Sequence, residues 1–233
     1  MPLIELKYPL GIKNNGTDFQ AEGRWHDCNL VRWSEDALGP IGGWTERIET
    51  PYAAVPRGSV AWQDRSNTRW IAAGTYTHLH VSAADGTTYD ITPAGYTAGL
   101  EDATLFTGFG GGTFGSGFFG QPRPDTGNYS EVTTWDVDIW GQYLVACAAS
   151  DGKLYEWQLA TGTPAAVIAN APTNCTGVVV TEERFVFALG AGGNPRLVQW
   201  CDFGDNTLWT PASTNQAGDH ELQTQGSIRA ALR

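Results

Sequence analysis

Residues 142–159 read QYLVACAASDGKLYEWQL, and residues 184–201 read RFVFALGAGGNPRLVQWC. Both follow one plan. An apolar run ends in small residues, and a tight turn follows. A basic residue and a leucine then open an alternating run that carries a tryptophan. Leu154 and Leu197 lie 43 residues apart, as do Trp157 and Trp200. A third copy, RWIAAGTYTHLHVS from Arg69, places Leu79 in the leucine position, 75 residues before Leu154. Short apolar runs of this kind, bounded by Gly, Asp, Asn or Pro, read as β-strands. Few windows carry apolar residues at helical spacing. A repeat of about 40–50 residues built from strands points to propeller blades, and a generic antiparallel sandwich with similar hairpins is the other reading.

Working outward, the strand-like runs are Arg69–Gly74, His78–Ser82, Gln142–Ala148, Lys153–Leu159, Gly177–Thr181, Arg184–Leu189 and Arg196–Cys201. The turns between them, Ala84-Asp85-Gly86, Ser150-Asp151-Gly152 and Gly193-Asn194-Pro195, suit hairpins. The expected fold is all-β, a propeller-like arrangement of antiparallel blades with long inserted loops. Residues 1–50 form an N-terminal segment of extended or strand character. Residues 51–212 carry the blades, with a Gly/Phe-rich insertion at 107–124. Residues 213–233 begin a further blade or a C-terminal extension. Three copies do not close a propeller, which needs at least four blades, and an open fan leaves unpaired edges, so the chain is expected either to be a fragment of a longer protein or to have its last blade completed by a neighbouring subunit.

Composition narrows the function. The chain has 233 residues, 25 acidic and 14 basic side chains and a formal net charge of -11. Such a surface lacks the clustered Lys and Arg that hold nucleic acid. The N-terminal residues show no apolar signal-peptide core, and no run reaches the length of a membrane span. Cys28, Cys147, Cys175 and Cys201 are widely spaced, without a C-x-x-C pair. They read as buried free thiols rather than a zinc site or a disulfide framework.

The catalytic motifs are weak. Asp136 and Asp138 alternate in one strand-like run and should face the same way. With Trp135 or Trp140 they are the residues of a sugar site, yet acids near β-turns are usually solvated or cap the turn. Asp202 and Asp205 flank a turn, and Asp202-Phe203-Gly204 matches a kinase motif whose companion motifs are missing. His78 and His80 share a strand face; lacking an evident third ligand, they read as surface or edge-strand histidines. His26-Asp27-Cys28 holds the residue types of a thiol triad, but neighbours on a strand point to opposite faces. Gly110, Gly112 and Gly115 match a dinucleotide fingerprint, but the Gly- and Pro-rich continuation forbids the helix that motif needs. No catalytic, cofactor or metal residue is therefore assigned. The candidate subunit interface is the set of rings on that loop, Phe106, Phe109, Phe114, Phe118 and Phe119, which either form a satellite core or bury against another subunit.

The block GTDFQAEGRWHDCNLVRWSEDALGPIGGW (16–44) resembles the opening of a family of tailed-bacteriophage structural proteins. The family comprises tail nozzle, tail tubular and packaged-DNA-stabilisation head–tail proteins. RWIAAGT, the insertion ending in PRP, TTWDVDIWGQYLVACAASDGKLYEW, NAPTNCTGVVVTEERFVFALGAGGNPRLVQWCDFGDNTLWTPA and NQAGDHELQTQG are similar to it as well. The resemblance implies a non-enzymatic virion protein without cofactors. It implies a homo-oligomeric ring, commonly six-fold, beside portal, adaptor and other tail proteins. Phage DNA passes such a ring without sequence-specific binding. Assembly takes place in the host bacterial cytoplasm, with no membrane insertion. Family members usually continue well past the position of Arg233, so the resemblance does not extend later blades or a distal gate to this chain. Two readings from other classes stand beside it: a carbohydrate-binding or carbohydrate-cleaving propeller, and a non-viral propeller interaction scaffold.

Overall fold

The structure, a computed structural model, describes residues 12–21, 24–25, 27–34, 37–43, 45–46, 48, 50–103 and 130–232. The chain divides into two compact units, Met1–Glu46 and Arg47–Arg233. In the first, β1 (Val31–Ser34) pairs antiparallel with β2 (Ala37–Pro40). A 3-10 turn spans Asp18–Ala21, and Ile12 bridges to Trp25.

Among its described residues the second unit contains three four-stranded antiparallel sheets, each a simple meander. The first sheet is β3 (Ser59–Gln63), β4 (Arg69–Gly74), β5 (Leu79–Ala83) and β6 (Thr88–Asp90). The second is β7 (Trp135–Trp140), β8 (Tyr143–Ala148), β9 (Leu154–Trp157) and β10 (Ala166–Val167). The third is β11 (Gly177–Val180), β12 (Val186–Leu189), β13 (Leu197–Trp200) and β14 (Gly218–Glu221). The all-β expectation is met. Each copy of the repeat forms the second and third strands of one sheet, and Leu79, Leu154 and Leu197 each open the third strand.

Local chemistry explains the hairpins. After β4, β8 and β12 the chain must reverse without a ladder partner. The Asp151 side chain accepts the Lys153 N–H at 3.2 Å, and the Asn194 side chain accepts the Arg196 N–H at 3.1 Å. These are the same turn, 43 residues apart, in which a short polar side chain replaces the missing backbone partner. Gly152 sits at φ +63°, and a Cβ there would lie 2.6 Å from the Asn174 backbone, so only glycine fits.

The sheets stack face to face through two cores. Between the first and second sheets lie Trp62, Trp70, Ala72, Val81 and Tyr89 on one side. Trp135, Leu144, Ala146, Tyr155 and Trp157 lie on the other. The ring of Trp157 meets Trp70 edge-on at 5.4 Å and Trp62 at 6.4 Å. Between the second and third sheets, Trp140, Val145, Cys147 and Leu154 meet Val178, Val180, Val186 and Ala188. The four described cysteines are free; Cys147, Cys175 and Cys201 are buried, and burial pushes the Cys175 thiol up to about 12.

The third sheet breaks the repeat in one respect. A two-residue turn, Gly141-Gln142, closes β7 onto β8, where Trp140 pairs with Tyr143. A three-residue turn, Glu182–Arg184, closes β11 onto β12: the Thr181 N–H donates to Phe185 O, and Arg184 adopts φ +66°. A one-residue slip exchanges the two faces of a strand. Leu144 and Trp157 therefore face inward against the first sheet, whereas their repeat equivalents Phe187 and Trp200 point away from the second. The sequence repeat predicts equivalent tryptophans; the structure places them on opposite faces.

Candidate functional site

The first strands of the three sheets, β3, β7 and β11, run beside one another. The first strand of a meander has one unpaired edge, and its N–H groups need acceptors. On β7, Asp136 and Asp138 supply them across the gap to β11. The Asp138 carboxylate accepts the Val180 N–H at 2.8 Å, and Asp136 accepts the Val178 N–H. Two acids spaced by two thus satisfy two amides spaced by two. Same-face projection follows from the sequence; their role as caps on the neighbouring sheet does not, because it depends on how the sheets stack. The other face of the same strand carries Trp135, 3% exposed, whose indole N–H donates to Thr75 O at 2.7 Å. Trp140, 8% exposed, donates to Arg184 O at 3.1 Å, with the Arg184 guanidinium 4.5 Å above its ring. Both tryptophans are structural wedges between sheets.

Burial raises the pKa of Asp136 above the usual carboxylate value, opposed by the Val178 N–H. A folded-state pKa above the unfolded one means that Asp136 favours folding below its unfolded pKa, and that this contribution is lost as pH rises through the folded pKa. Asp136→Asn, which keeps an acceptor for Val178, should therefore raise the melting temperature at neutral pH. The gain should shrink as pH falls through the carboxylate range. Thermal unfolding of both proteins across that range checks this; a gain independent of pH would contradict it.

The outer face of the third sheet carries an aromatic group. Phe187 lies tilted against Trp200 at 5.6 Å, and Phe185 meets Phe187 at 6.4 Å and Phe203 at 5.9 Å. Phe203 is 59% exposed, and Phe185, Phe187 and Trp200 are part-exposed. These rings belong to neither core. Sequence reading misses this patch, since the repeat assigns Trp200 the buried role of Trp157. The signal for it was the extra residue between β11 and β12.

The remaining sequence candidates fall as follows. Phe106, Phe109, Phe114, Phe118 and Phe119 lie outside the described residues, as do the glycines of the fingerprint match and His26. Asp205 accepts from the Thr207 N–H at 2.9 Å and hydroxyl at 2.6 Å, and Asp202 accepts the Gln216 N–H at 2.7 Å. Both are turn-forming acids. The histidines require a correction. β5 is an interior strand, and His80 is only 8% exposed, stacked between Tyr52 at 5.3 Å and His78 at 5.5 Å. His78 is partly exposed, near Asp90. The alternation of β5 places His80 under the Tyr52 side chain, whose hydroxyl bonds Ser82 at 3.0 Å, a cover that strand pattern alone cannot reveal. Among the described residues no group of three or more His, Cys, Asp or Glu side chains is arranged to hold a metal ion.

No protein-family model, curated protein or solved structure matches the chain. The aromatic face and the β7–β11 junction therefore rest on geometry alone.

Proposed function

We propose that the chain is a non-enzymatic structural subunit of a tailed-bacteriophage tail, a nozzle or head–tail completion protein. In this reading its three stacked meanders are blades of a propeller-like fold, with β3, β7 and β11 innermost. It works by assembly: subunits form a homo-oligomeric ring around the channel, next to portal and adaptor proteins, and seal the genome until ejection.

The observation that carries the reading is the partly exposed aromatic face of the third sheet, against which no described sheet packs. The four sheet faces that form the two cores are each buried against a neighbouring sheet. Phe185, Phe187, Trp200 and Phe203 present rings where a further sheet would pack, and aromatic residues are enriched in the cores of subunit interfaces. The net charge of -11 suits a conduit that DNA passes without adsorbing. The phage assignment itself rests on the sequence resemblance. A sugar site on β7 would need Trp135 or Trp140 open beside Asp136 and Asp138. Both indoles are instead buried, and both acids bond the backbone of β11.

Sedimentation of the chain, alone and mixed with a portal–adaptor complex, tests the proposal. Rings or a co-sedimenting complex are expected, and Phe187→Glu should abolish them while the circular dichroism stays that of the folded chain. Monomers under both conditions would refute it.

A further inference from the structure

We propose that His80 is an acid-operated latch, which holds the segment around Tyr52 on the outer face of the first sheet at neutral pH and releases it on protonation. The chain passes from its first compact unit to its second at Glu46–Arg47, and β3 begins at Ser59. The latched segment therefore lies in the connection between the two units. Within residues 50–56, Tyr52 supplies the one hydrogen bond and the one ring contact to the first sheet. Its hydroxyl bonds Ser82 Oγ at 3.0 Å, and its ring stacks on His80 at 5.3 Å with the planes 26° apart.

The stack suits a neutral imidazole. His80 is buried between Tyr52 and His78, and neither of its ring nitrogens has a hydrogen-bond partner among the described residues. A neutral ring leaves one N–H and one lone pair unsatisfied there. A protonated ring would bring a second N–H and a full charge into the same place, with no acceptor for either N–H. Both nitrogens are also closed to water in the folded arrangement, so a proton reaches them only when the cover lifts.

The groups that face His80 decide the direction of the switch. β6 contributes Asp90, its register partner, and β5 itself contributes His78, whose ring lies 5.5 Å away. β4 places Ala73 opposite His80 and Ile71 opposite Ser82, and neither titrates. Tyr52 is the one titratable residue of the segment 50–56. Asp90 favours a charged His80, but its carboxylate also lies 3.9 Å from His78 Nε2 and accepts the Thr92 N–H at 2.9 Å. Charge on both stacked imidazoles is repulsive. Burial, opposed by Asp90 and reinforced by His78, holds the His80 pKa below the ordinary histidine value. The neutral ring's contribution is therefore complete above the unfolded pKa, about 6.5, and is lost as pH falls through the folded one. The weakest element yields first. β5 is laddered on both sides by β4 and β6, whereas the Tyr52 segment is held to the sheet by a single hydrogen bond and a ring contact.

The test uses the whole chain, labelled with ¹⁵N and with 3-fluorotyrosine. The chain has eight tyrosines, and the Tyr52 fluorine is assigned by its absence in Tyr52→Phe. On acidification from neutral pH the Tyr52 fluorine should shift with the same midpoint as the His80 ring nitrogens, below about 6.5. The Trp157 indole N–H should keep its folded position through that transition. In His80→Phe, which keeps a flat ring without a titrating nitrogen, the Tyr52 shift should vanish. A Tyr52 signal that stays fixed until the Trp157 indole also moves would overturn the proposal, as would a midpoint different from that of His80. Both comparisons use the unaltered sequence and so stand even if His80→Phe fails to fold. Persistence of the Tyr52 shift in folded His80→Phe would overturn it equally. None of these results depends on whether the chain forms a ring.

Discussion

Trp157→Ala should cost about 3–5 kcal/mol of folding stability, and Trp200→Ala, at the same place in the repeat, about 1–2 kcal/mol. The Trp157 ring is 1% exposed and fills the space between Trp62 and Trp70 across the first core. Its indole N–H also bonds Ala160 O at 3.1 Å, so truncation leaves both a void and a lost donor. Trp200 rests over Gly218 on the open face, with its N–H on Gln216 O at 2.8 Å. It loses less because part of its surface already meets water. Denaturant midpoints with unchanged slopes measure both effects. Equal losses would mean that the two rings occupy equivalent environments after all. Assembly should show the reverse order, with Trp200→Ala the more harmful.

The second large effect is expected at Gly74. A Cβ there would sit 2.2 Å from Cγ of Trp135, well inside van der Waals contact. The ring has nowhere to go, since Tyr96 lies 5.1 Å away on one side and Tyr155 at 6.4 Å on another. Gly74→Ala should therefore displace the indole, break its bond to Thr75 O, and cost about 3 kcal/mol. The clash is specific to one partner. In the double variant Gly74→Ala/Trp135→Ala the two losses should sum to less than their separate values, a coupling that a double-mutant cycle reads directly. Strict additivity would show that Gly74 is needed for its backbone rather than for the ring above it.

Much of the fold is legible in the sequence because strand chemistry is local. The run Arg69–Gly74 is β4 from end to end, and Tyr143–Ala148 and Leu197–Trp200 fall within the runs read from pattern. Asp151 and Asn194 announce their turns because a side-chain acceptor two residues from its donor N–H needs no tertiary context. Facing is less legible. The apolar identities of Phe187 and Trp200 fit either side of a sheet, and one residue in the preceding turn decides which. The acids of β7 project together as the alternation requires, yet their acceptor role toward β11 is set by a neighbouring sheet 42 residues away. His80 is buried by Tyr52, from a segment outside its own hairpin. Glu156, flanked by Tyr155 and Trp157, carries no motif at all; only the fold brings Asn206 to it.

The Glu182–Arg184 turn has a consequence for how such a chain diversifies. Substitution alters one side chain at a time, and a buried layer tolerates few such steps. Adding or deleting one codon in a hairpin turn exchanges both faces of the strands that follow, exposing the residues that had been interior and enclosing those that had been outside. Lineages of such repeats would then differ more in the lengths of their turns than in the residues of their strands.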